Sequence, residues 1–100
     1  MEKKPDDKIT LEKIGKYYDL TSKALRIAKE SKNLTGMTEE RKDIINMIEC
    51  YLNDSVFFRD KGDYINAFAA LNYAHGWLDC GARLKIFDVH DSVLFTVDEK

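Results

Sequence analysis

Between Phe58 and Tyr64 the chain reads Arg59-Asp60-Lys61-Gly62-Asp63, and this short stretch constrains the fold more than any other. Glycine readily takes the left-handed conformation that closes a helix, and aspartate is a favoured N-cap for a helix that follows. Long periodic segments flank the stretch, so the short connection predicts an antiparallel helical hairpin. A second break, "SKNLTGMT" at residues 31–38, separates the hairpin from an earlier periodic segment. The chain therefore reads as one all-α domain over residues 1–100, an up-and-down three-helix bundle with helices at about 10–32, 38–61 and 63–86. An extended tail, residues 87–100, completes it.

In the first segment Leu11, Ile14, Tyr18, Thr21, Leu25 and Ala28 recur at spacings of three and four, which places them on one helical stripe. In the second, Thr38 is the expected N-cap, Glu39 and Glu40 suit the positive end of the helix, and Ile44, Ile45, Ile48, Tyr51, Leu52, Ser55, Val56 and Phe58 mark a wide buried face. The third segment is apolar on two sides. Tyr64, Phe68, Leu71, His75, Leu78, Ala82 and Ile86 form the expected core stripe, while Tyr73, Trp77, Cys80 and Leu84 fall on roughly the opposite side. Gly76 and Gly81 lower helix propensity by about 1 kcal/mol each relative to alanine, which suggests packing that requires them. Val93, Leu94, Phe95 and Val97 have strand-like composition, and the tail is expected to cover the second apolar side, with a second copy of the chain as the other candidate cover.

Several functions are disfavoured. Sixteen basic residues against eighteen acidic ones leave a net charge of −2, which does not favour binding to a phosphate backbone. The leader "MEKKPDDK" lacks the apolar core of a secretion signal, and no run approaches the roughly 18 apolar residues of a membrane span, so a cytoplasmic protein is expected. Cys50 and Cys80 lack metal-type spacing and are expected to be buried thiols. His75 and Cys80 project about 140° apart on one helix and cannot share a zinc ion, the Glu-x-x-His pairs of di-metal bundles are missing, and no glycine-rich phosphate loop is present. No metal and no cofactor is expected.

The catalytic candidates are His75, Asp79, Arg83 and His90. His75 and Asp79 are four residues apart, a spacing at which a carboxylate can orient an imidazole for acid–base work. A histidine on an apolar stripe serves more often as a hydrogen-bonded core residue, and that is the expected role of His75. Arg83 lies a further four residues on, so His75, Asp79 and Arg83 also fit an internal polar network.

The run "RLKIFDVH", with six residues between Arg83 and His90, resembles the R-x(4–6)-H signature of the HEPN helical ribonucleases, which would place both residues at a dimer interface. It departs from that signature in having Leu84 after the arginine and His90 past the expected helix end. A longer resemblance covers "DKGDYINAFAALNYAHGWLDCGARLKIFDV", residues 60–89, together with the preceding "YLNDSVFFRDKGD". The G-D-Y opening, the Y-A-H-G-W-L-D run and the closing R-L-x-x-F-D-V are similar to an archaeal family known as domain of unknown function 357. That resemblance implies an archaeal cytoplasmic three-helix bundle and no particular activity. The function expected from the residues is a non-enzymatic interaction or assembly module that uses Tyr73, Trp77, Cys80 and Leu84 to bind a second copy or another protein. A small helical hydrolase or HEPN-like ribonuclease is the alternative.

Overall fold

A computed structural model describes residues 8–95. Three helices, α1 (Leu11–Glu30), α2 (Thr38–Asp60) and α3 (Tyr64–Arg83), pack as an up-and-down bundle, and no strand occurs among the described residues. Tyr17 meets Phe68 and Thr21 meets His75, so α1 and α3 run in the same direction; α2 runs between them in the opposite one, with Tyr51 against Tyr73. No helix among these residues is long and apolar enough to cross a membrane.

Each helix end has a local cause. Thr10 caps α1 by accepting the Lys13 N–H at 3.1 Å. For α2 the expected cap is displaced: Met37 occupies the N-cap position, without a side-chain bond, and Thr38 opens the helix. The hydroxyl that does the work belongs to Thr35, which accepts the Met37 N–H at 3.0 Å and donates to Asn33 Oδ1 at 2.7 Å. The hairpin forms as expected. Gly62 has φ 78°, the Asp63 N–H reaches the Phe58 carbonyl at 2.8 Å, and Asp63 Oδ1 accepts the Asn66 N–H at 3.2 Å.

The third helix stops at Arg83, three residues short of the predicted end at 86. Its last turn repeats the hairpin's geometry: the Ile86 N–H bonds the Gly81 carbonyl at 2.9 Å and the Lys85 N–H bonds the Ala82 carbonyl at 3.2 Å. The left-handed residue here is Lys85, with φ 66°. Without a glycine, nothing local in the sequence signals the stop.

The buried stripe of α3 is rotated from the expected one by roughly 60°. Ala67, Ala70, Ala74, Leu78 and Gly81 face inward, whereas Tyr64, Phe68 and His75 lie at the margin. Small residues let α2 and α3 approach closely, so the alanine side, not the aromatic side, faces the core. Gly81 is a required small residue, because a Cβ there would run into the Phe87 ring. Gly76 is not: a Cβ there would meet nothing within 4 Å.

After α3 the chain folds back as turns, not as a strand. Ile86, Phe87, Val89, Leu94 and Phe95 are buried. Two backbone bonds, Leu34 N–H to the Lys85 carbonyl at 3.0 Å and Asp88 N–H to the Lys32 carbonyl at 2.9 Å, join this segment to the loop between α1 and α2. Val97, the end of the expected strand, lies outside the described residues.

Candidate functional site

His75 joins three parts of the molecule. Its Nδ1 is 3.2 Å from Thr21 Oγ1 on α1, and its Nε2 is 2.7 Å from the Leu94 carbonyl oxygen. A carbonyl only accepts, so Nε2 carries a proton; in the neutral ring Nδ1 then accepts from the Thr21 hydroxyl. The hydrogen-bonded role expected for His75 is therefore present, with side-chain exposure of 23%. Asp79 Oδ1 lies 3.9 Å from Nε2, too far for a hydrogen bond.

Beside this junction, a cleft of about 300 Å³ separates α1 from α3. Tyr17, Leu20 and Thr21 line one wall, and Asn72, His75, Gly76 and Asp79 the other, above Leu71. The last four form one polar face of the helix, since they recur at spacings of three and four. For acid–base chemistry the arrangement is poor. The imidazole is hydrogen-bonded through both nitrogens, and the hydroxyl it contacts, Thr21, is only 1% exposed.

The structure does not bring Arg83 and His90 to this cleft. Arg83 is the exposed last residue of α3. His90 lies past the closing turn, largely exposed, with Nε2 2.9 Å from Asp88 Oδ1. Among the described residues, no group of three or more His, Cys, Asp or Glu is placed to hold a metal ion.

The second apolar side of α3 remains in solvent. Tyr73 is 63% exposed and Leu84 51%, Cys80 is exposed, and Trp77 is partly buried against the core. Tyr73 stacks on Tyr51 of α2, with ring centroids 5.4 Å apart and planes 18° from parallel, so the strip extends onto the neighbouring helix. Leu94 of the tail is held at His75, and Val97, the end of the segment expected to cover this side, lies outside the described residues. The expectation of buried thiols is corrected: Cys50 and Cys80 are both free and exposed.

Sequence reasoning passed over Arg41. Its guanidinium donates to the carbonyls of Ser31 at 2.7 Å, Ile86 at 2.8 Å, and Ala28 and Lys29 at 3.2 Å each, and it lies 5.3 Å from the Phe87 ring centre. It thus ties the end of α1 to the segment after α3. One signal was available: a cation in the opening turns of a helix opposes the helix dipole, so its presence there implies a partner elsewhere.

These features define a small all-helical protein whose polar interior contacts fasten loops and helix ends, with one apolar strip left uncovered. Residues 16–87 match the model of the family described as Protein of unknown function (DUF357), and the chain belongs to that family. No curated protein and no solved structure matches it.

Proposed function

We propose that the protein is a non-enzymatic interaction or assembly module that docks through the strip of Tyr73, Trp77, Cys80 and Leu84, extended by Tyr51. The observation that carries this reading is the 63% exposure of Tyr73 in a ring stack continuous across two helices. Amphipathic rings that can bury large areas at little conformational cost are typical contact residues. The partner is a second copy of the chain or another protein, and the setting we propose, from the family resemblance, is the archaeal cytoplasm.

The alternative, a hydrolase or HEPN-like ribonuclease using His75, Asp79, Arg83 and His90, has less support, because the ring nitrogens of His75 already contact Thr21 and Leu94. The size of the complex formed by the tagged chain in native extract tests the proposal. Tyr73→Asp and Leu84→Asp alter exposed positions, so both variants should fold and should release the complex. A complex of unchanged size in both would overturn the reading.

A further inference from the structure

Two ridges make up the face that carries the exposed Tyr73. Along α3 to its C-cap Leu84, the residues Tyr73, Trp77, Cys80 and Leu84 follow at spacings of four, three and four, a straight seam about 16 Å long that bears no charge. On α2, Glu40, Asp43, Met47, Tyr51, Asp54 and Phe58 recur at spacings of three and four. The Tyr51 ring that stacks on Tyr73 therefore stands in line with three carboxylates. Glu40, Asp43 and Asp54 are all exposed, and none of them forms an ion pair among the described residues. The whole chain has a net charge of only −2, so three carboxylates with no cation on either ridge are a local excess.

We infer that the partner at this face, given that the strip is a docking surface, is a basic amphipathic helix of another protein. Its apolar side lies on the seam from Tyr73 to Leu84, and its arginines or lysines reach towards Glu40, Asp43 and Asp54. A helix suits the seam because its own apolar residues recur at spacings of three and four and its backbone bonds are already made. An extended segment would need a sheet edge to bond, and this face is built of two helices. Positive charge suits the α2 ridge, since opposite potentials steer association and like ones suppress it. A guanidinium can also stack on the open Tyr73 ring. A second copy is a poor occupant, because it brings the same carboxylates to the contact and no cation on these ridges to meet them.

Titration of the full chain with two synthetic helical peptides tests the inference, because Trp77 is the chain's one tryptophan and its fluorescence reports on the seam. Both peptides carry leucine at spacings of three and four; one has arginine and the other glutamate at the flanking positions. The arginine peptide should bind saturably, at least about tenfold more tightly than the glutamate peptide, and less tightly as salt is raised. Asp43→Lys combined with Asp54→Lys, both at exposed positions, should reverse that preference and should release the native complex that Tyr73→Asp releases. An unreversed preference, tighter or equal binding of the glutamate peptide, or no saturable change with either would overturn the basic helix. A native complex that survives the charge reversal but not Tyr73→Asp would overturn it too, while the docking surface stands; a complex that survives both would overturn the docking surface as well. A dimer of the purified chain that Tyr73→Asp dissociates would assign the face to a second copy, and peptide binding seen only after deletion of residues 96–100 would assign it to the chain's own end. Either outcome overturns the inference.

Discussion

The Nε2 atom of His75 stands 2.7 Å from the carbonyl oxygen of Leu94, nineteen residues further along the chain, and this contact fastens the returning C-terminal segment to the third helix. Because Nδ1 of the same ring meets the buried Thr21 hydroxyl, one side chain links α1, α3 and that segment. His75→Ala should lower stability by roughly 1–3 kcal/mol, from lost hydrogen bonds and a small void. Urea unfolding gives the magnitude. Hydrogen exchange should show the Leu94 and Phe95 amides losing protection before those of α2, and uniform loss across the chain would argue against a latch.

Lys85 holds a left-handed conformation, with φ 66°, at the position where the other helix end has Gly62. Lys85→Gly should therefore raise stability, by about 0.5–1 kcal/mol after the greater freedom of glycine in the unfolded chain is set against the relieved strain. Lys85→Val should lower it, because a β-branched residue tolerates that region poorly. Thermal unfolding of the two variants should move in opposite directions.

The two glycines late in α3 should respond oppositely to alanine. At Gly81 the added methyl meets the Phe87 ring, and Gly81→Ala should destabilise by about 1–3 kcal/mol through overpacking. At Gly76 it meets nothing within 4 Å, and Gly76→Ala should stabilise by up to about 1 kcal/mol through helix propensity. Paired denaturation curves check both signs.

Arg41 serves several carbonyl acceptors at once, so neither a neutral nor a point-charge replacement reproduces it. Arg41→Met should cost roughly 2–3 kcal/mol, and Arg41→Lys should recover only part of the loss, because an ammonium group cannot match the planar fork. Full stability in Arg41→Lys, measured by urea unfolding, would show that charge alone suffices.

What was legible in the sequence was local. Gly62 and Asp63 announce the hairpin because a left-handed C′ residue and an N-cap aspartate act within a few residues of themselves. The end of α3 was illegible for the corresponding reason: its left-handed residue is a lysine, and the turn is held by Arg41 and Phe87, distant or flanking groups with no local motif. Periodicity found the buried side of α3 but misplaced its centre, since large apolar residues dominate a sequence pattern while the buried side of the helix also includes the small residues Ala67, Ala70 and Ala74. His75 was recognisable as a bonded histidine; that its partners would be Thr21 and Leu94 depends on tertiary packing. The same dependence explains Cys50 and Cys80, whose apolar character does not decide on which side of a helix they emerge.

The central claim, that the strip through Tyr73 is a docking surface, is tested most directly by site-specific photo-crosslinking in the native cell. A photoreactive phenylalanine analogue in place of the exposed Tyr73 keeps an aromatic ring beside Tyr51, and the same analogue at Lys23, exposed on α1, serves as the control. The account predicts a discrete adduct of defined mass from position 73, abolished by Leu84→Asp, and none from position 23. No adduct at 73, or an equal adduct at both positions, would contradict it.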